Sequence, residues 1–220
     1  MTFDRSRLVG TAAPLFVAAL LSLFSARQTF AADRSPAAGW VTLVDAKEAA
    51  GLAPRVEFQE WATPAKGEHP HDPLATADGA IWYTGQRANL IGRVDPSTGN
   101  IKEFGLREPN SGPHGLVAGK DGAIWFTAQS GGYIGRLDPR TGEVRAYFPK
   151  DAQKIDPHTP IFDRSGVLWF TAQSANMIGR LDPAKGEIEL MRSPTKDSAP
   201  YGVVVGADGA LYVAEFGANK

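Results

Sequence analysis

Residues 113–148 read PHGLVAGKDGAIWFTAQSGGYIGRLDPRTGEVRAYF, and the chain repeats this stretch. Its aromatic marker Trp125 recurs as Trp82, Trp169 and Tyr212, at intervals of 43, 44 and 43 residues. Gly-Arg falls at 92–93, 135–136 and 179–180, and Asp-Pro at 95–96, 138–139 and 182–183. Within one unit, 115–118 and 123–128 are β-rich runs flanking Asp121-Gly122. That pair is a hairpin turn signal, because Gly takes a positive φ without a Cβ clash. Residues 133–137 and 143–148 add a third and a fourth strand around a turn punctuated by Pro139 and Gly142. A period near 43 residues with four strands per period predicts an all-β protein, a β-propeller with one four-stranded blade per repeat. Helical repeats of this length need helical patterns of about 10–15 residues, for which the Gly and Pro spacing leaves no room.

Outward from this unit, 69–104 and 157–191 are two more full copies, and 200–220 supplies the first two strands of a fourth. Arg55 to Trp61 resembles the outermost strand of a unit, of the kind that closes a ring by completing the last blade. Propellers have about four to eight blades, so the reading expects a chain truncated in mid-blade, with six or seven blades and roughly 320–360 residues in the whole. Residues 1–31 read as a secretory signal. Arg5 and Arg7 precede an apolar run from Leu8 to Phe24, and Thr29 and Ala31 stand at the −3 and −1 positions of a cleavage site. The strongest apolar stretch, Leu15 to Phe24, is far shorter than the ~20 residues that span a bilayer. The expectation is a periplasmic or secreted protein, without membrane attachment after cleavage. Residues 32–54, rich in Ala, Gly and Pro, read as a linker or N-terminal arm with a short helix around Asp45 to Ala50; 55–220 is the propeller domain.

Composition narrows the function. The chain has 220 residues, net charge −1 and no Cys. Near-neutral charge argues against a nucleic-acid surface. Without Cys there is no disulfide framework, thiolate metal site or thiol nucleophile.

Repetition separates scaffold from site, because one active site in a ring uses residues that differ between blades. Trp82, Trp125 and Trp169 recur and read as core between neighbouring blades. The Gly-Arg and Asp-Pro elements read as scaffold too, with Gly for close sheet approach and Arg with Asp as a polar clasp. At the entrance to each first strand stand His71, His114 and His158, each after a Pro, with Tyr201 in the fourth unit. Counting through the hairpin turn places His114 opposite Ala128; the matching pairs are His71/Gly85, His158/Ala172 and Tyr201/Glu215. The innermost strands line a propeller's channel, so three imidazoles and one carboxylate are expected at one mouth. Imidazole suits acid–base work near neutral pH, and Glu215 suits a hard cation such as Mg²⁺. Gln129 and Gln173, with Gln86, follow the second strands. Asn89, Asn176 and Asn219 lie in the next loops as amide donors and acceptors for a ligand. His69 makes a His-Pro-His pair with His71, although the intervening Pro splays the rings.

Pro-His-Gly, Asp-Gly-Ala-Ile-Trp-Phe-Thr, Ile-Gly-Arg-Leu-Asp-Pro and Thr-Gly-Glu together resemble the streptogramin B lyase (virginiamycin B lyase) family over residues 55–220. The resemblance implies a seven-bladed propeller that opens a cyclic depsipeptide at its ester by elimination, using Mg²⁺. It implies a Pro-His histidine as base or its helper, and a Glu fourteen residues on as metal holder. No unit here has both: the blades with His71, His114 and His158 end in Gly85, Ala128 and Ala172, and Glu215 follows Tyr201. The expected partner is a small cyclic ester or lactone, bound by a protein monomeric at full length. The competing readings are a non-catalytic exported propeller that binds a ligand or protein, and a metal-dependent lactonase.

Overall fold

The computed structural model describes residues 40–43, 56–150 and 155–220. The signal segment and the short helix expected at Asp45 to Ala50 lie outside the described residues. The chain divides into two compact units between residues 62 and 63. In the first, β1 (Trp40–Leu43) pairs antiparallel with β2 (Val56–Gln59), Trp40 facing Gln59 and Leu43 facing Val56. The stretch read as a linker therefore contains a strand, and the strand expected at 55–61 forms as β2.

The second unit is a series of propeller blades. The first is β3 (Pro70–Ala75), β4 (Ile81–Gly85), β5 (Leu90–Asp95) and β6 (Asn100–Gly105). The second is β7 (Pro113–Ala118), β8 (Ile124–Ala128), β9 (Tyr133–Leu137) and β10 (Val144–Tyr147). The third is β11 (Pro157–Phe162), β12 (Leu168–Ala172), β13 (Met177–Asp182) and β14 (Glu187–Arg192). A two-stranded sheet, β15 (Pro200–Val205) and β16 (Leu211–Glu215), follows, with a 3₁₀ turn at Phe216–Ala218. Each sheet is an antiparallel meander in chain order, as short turns between β-rich runs require.

Two apolar cores lie between blades. Trp82, Ile91 and Phe104 of the first blade pack with Ile124, Phe126 and Tyr133 of the second. Trp125, Ile134 and Tyr147 of the second pack with Leu168, Phe170 and Leu181 of the third. Trp82 and Trp125 are thus inter-blade core, while Trp169 is half-buried and donates Nε1–H to Asp163 (2.8 Å). The Gly of each Gly-Arg is needed for space. A Cβ at Gly135 would lie 2.0 Å from the Phe126 ring, and Gly92 and Gly179 meet Tyr83 and Phe170 in the same way. The Arg clasp is real but has a different partner from the Asp-Pro aspartate. Arg93 and Arg136 reach Asp78 (3.0 Å) and Asp121 (2.6 Å) of the hairpin turns, whereas Arg180 pairs with Glu189. Asp95, Asp138 and Asp182 instead accept backbone N–H bonds within their own turns.

The first strand of every blade carries a β-bulge just after its Pro. Leu116 faces Phe126, yet Pro113 rather than His114 faces Ala128, so one extra residue sits in β7. The same shift occurs after Pro70, Pro157 and Pro200. A buried threonine fastens the bulge. Thr127 Oγ1 accepts from Gly115 N–H (2.8 Å) and donates to the His158 carbonyl of the next blade (2.7 Å). Thr84 does this with Asp72 N–H (3.0 Å) and the His114 carbonyl (2.9 Å). Thr171 does it with Thr159 N–H (3.2 Å) and the Tyr201 carbonyl (2.6 Å).

Crowding at the Gly-Arg glycine gives a direct prediction. Gly135→Ala should destabilise the protein by about 1–3 kcal/mol, the usual cost of overpacking a dense core. Gly105→Ala, whose new methyl meets nothing within 4 Å, should change it by less than about 0.5 kcal/mol. Urea denaturation of the two variants checks this.

Candidate functional site

The bulges set the candidate site. Each places a ring at the entrance of an innermost strand, and the threonine clasp holds the next blade's ring at a fixed distance. The centroids of His71 and His114 lie 4.1 Å apart, those of His114 and His158 3.9 Å, and those of His158 and Tyr201 4.1 Å. Successive planes tilt by 46°, 43° and 47°, the rings turning with the blades that carry them. Four side chains thus form one ladder of tilted rings. His71 and Tyr201 at its ends are exposed; His114 and His158 between them are 6% and 4% exposed. The ladder was expected from the Pro-His positions. The pairing His114/Ala128 was not correct, because the bulge adds a residue that counting through the turn does not see.

The residue after each histidine determines what its Nδ1 meets. His71 Nδ1 bonds Asp72 Oδ1 (2.7 Å), and His158 Nδ1 bonds Thr159 Oγ1 (3.0 Å). After His114 comes Gly115, which has no side chain. The buried His114 Nδ1 has no hydrogen-bond partner and lies 3.9 Å from Asp72 Oδ2 of the preceding blade. Burial is the largest cause holding His114 neutral, with the neighbouring His158 adding to it, and its pKa is lowered to about 4. Burial likewise lowers His158. Asp72 was missed in the sequence, although the difference between blades that singled out Glu215 also marks it: the equivalents of Asp72 are Gly115, Thr159 and Gly202. Together His71, Asp72 and His114 bring three ligating atoms within 4.8 Å of one another.

Glu215 faces Pro200, the residue before Tyr201, rather than Tyr201 itself. It stands at the register of Ala128 and Ala172, both packed in inter-blade cores, so its side chain belongs to the boundary with the preceding blade. There it accepts a hydrogen bond from Ser193 Oγ (2.7 Å), the largest cause of its lowered pKa. Among the described residues it is part of no cluster of three metal-ligating side chains. Gln129 and Gln173 lie half-buried just beyond β8 and β12, as expected. Two of the three loop asparagines, Asn89 and Asn176, have both ends of their amides engaged. Asn89 Oδ1 accepts from Ser111 N–H (2.8 Å) and its Nδ2 donates to Glu108 O (2.9 Å). Asn176 Oδ1 accepts from Ser198 N–H (2.7 Å) and its Nδ2 donates to Thr195 O (3.0 Å). Both bind one blade's loop to the next. His69 lies with its ring 6.2 Å from that of His71, outside the metal-ligating cluster.

The virginiamycin B lyase family model matches residues 28–220. Virginiamycin B lyase from Staphylococcus aureus is 33% identical over 76% of this chain and 55% of its own, with a TM-score of 0.70. A catalytically inactive histidine-to-alanine form of that lyase, solved with quinupristin, is 32% identical over 83% of this chain and 58% of its own, with a TM-score of 0.68. A streptogramin B lyase structure is 31% identical over 81% of this chain and 56% of its own, with a TM-score of 0.66. The chain therefore spans little more than half the length of these lyases. No curated protein sequence matches it.

The buried histidines give a pH prediction. In chelator-treated protein, the His114 imidazole should titrate near pH 4 by NMR, with His158 below the ordinary value. Below about pH 6.5 the unfolded chain takes up protons that folded His114 refuses until about pH 4. Its contribution to stability is complete above that window and is lost as pH falls through it. Titration of both imidazoles near pH 6.5 would contradict the buried ladder.

Proposed function

The chain belongs to the virginiamycin B lyase family, and on that premise we propose that it is an exported streptogramin lyase-like propeller that opens a cyclic ester by elimination. The observation that carries the reading is the ladder, which presents an exposed imidazole and an exposed phenol at one mouth with two buried imidazoles between them. Asp72 accepts the Nδ1 proton of His71 and leaves the Nε2 lone pair as base. That nitrogen takes a proton from the carbon neighbouring the one that bears the ester oxygen. The released electron pair forms a carbon–carbon double bond, the carbon–oxygen bond breaks, and the carboxylate leaves. No water or oxidant is consumed. Tyr201 supplies a flat surface for an aromatic or peptide plane of a depsipeptide, and His114 and His158 hold its distance from His71.

Magnesium, which the resemblance implies, is not matched by the described residues. Glu215 is engaged by Ser193, and the cluster that does converge is rich in nitrogen, whereas Mg²⁺ takes oxygen donors. No step is assigned to it.

Gly85, Ala128 and Ala172, rather than Glu, stand fourteen residues after His71, His114 and His158, which favours the second reading, a propeller that binds its ligand without turnover. Incubation of the protein with a streptogramin B depsipeptide, followed by mass spectrometry, separates the readings. Elimination gives a linear product of unchanged mass with a new double bond, and activity that falls at least about tenfold in His71→Ala. A product heavier by one water would mean a lactonase, and intact substrate would mean a binding protein.

A further inference from the structure

The His114 Nδ1 has no satisfactory state in the protein alone. Protonated, it is a buried donor 3.9 Å from the nearest carboxylate oxygen, too far for a hydrogen bond. Deprotonated, it aims a lone pair at the side of an anion. A cation between the two groups resolves both cases. We infer that His71, Asp72 and His114 form a binding site for a first-row divalent transition metal of the Zn²⁺ type.

The backbone explains how three donors meet here. Consecutive side chains on a regular strand point to opposite faces. The bulge after Pro70 breaks that alternation, and His71 and Asp72 approach each other to 2.7 Å. The Thr84 hydroxyl ties the Asp72 amide to the His114 carbonyl, bringing the third donor from the next blade. Two imidazole nitrogens and one carboxylate oxygen lie within 4.8 Å of one another and would have to draw together onto an ion, whose bonds are about 2.0–2.2 Å. Imidazole donors suit Zn²⁺, Ni²⁺ or Cu²⁺, whereas an oxygen-donor set suits Mg²⁺. The exposed flank at His71 leaves the remaining coordination position to water or a ligand oxygen. No second such cluster occurs among the described residues. The site uses none of the residues expected to hold Mg²⁺, and it does not rest on the lyase reading. An ion there takes the Asp72 carboxylate from His71, so ion binding and proton abstraction by His71 exclude one another.

Calorimetric titration of the chelator-stripped protein with Zn²⁺, and optical titration with Co²⁺, test the inference. The expected result is uptake of a single ion with visible Co²⁺ bands, unaffected by millimolar Mg²⁺. Asp72→Asn and His71→Ala alter exposed side chains and leave the cores intact; each should weaken Zn²⁺ binding at least about tenfold. Glu215→Gln should bind Zn²⁺ like the parent. Parent protein that takes up no Zn²⁺, folded Asp72→Asn and His71→Ala proteins that bind it unchanged, or loss of binding in Glu215→Gln would overturn the site.

Discussion

The hydroxyls of Thr84, Thr127 and Thr171 each hold two backbones at once, accepting from the bulge of their own blade and donating to the ring-bearing residue of the next. All three are fully buried. A buried hydrogen bond contributes about 1 kcal/mol net, and losing one partner costs about 1–3 kcal/mol, because the other group is left without water. The threonines therefore do more than fill space in the inter-blade cores. They set the distance between successive innermost strands at the end where the rings stand, and Ala214, at the same register in the next unit, has no hydroxyl to do so.

From that constraint the chemistry follows. Rings held about 4 Å apart shield one another, which keeps His114 and His158 buried and neutral and leaves His71 and Tyr201 to meet solvent. What each imidazole can do then depends on its neighbour in sequence. Thr159 satisfies His158, Asp72 satisfies His71, and Gly115 leaves His114 Nδ1 without a partner. One absent side chain turns a structural ladder into a place where a proton or a cation has a role.

The strands and blades were legible because each boundary carries local turn chemistry. Asp-Gly hairpins, Asp-Pro turns and a constant period place nearly every strand of the repeat within a residue or two. The candidate site was legible only in part. Pro-His marked the ladder, but the bulge shifted its register, and a proline at the start of a strand was the available sign of that. Asp72 is marked only by its contrast with Gly115, Thr159 and Gly202, since no motif surrounds it. The duties of Asn89 and Asn176 depend on loops about 22 residues away, so no local pattern shows them. Counting through the hairpin puts Glu215 opposite Tyr201, whereas the bulge puts it opposite Pro200, with the parity of the packed Ala128 and Ala172.

The threonine clasp can be tested at a single amide. Hydrogen exchange of Gly115 N–H, compared between the parent protein and Thr127→Val, reports directly on the bond that fixes the bulge. Valine fills the same volume without the acceptor. The account predicts that Gly115 loses most of its protection while the amides of β8 and β9 keep theirs. Unchanged protection of Gly115 would mean that the bulge stands without the hydroxyl, and the threonine clasp would no longer explain the ladder.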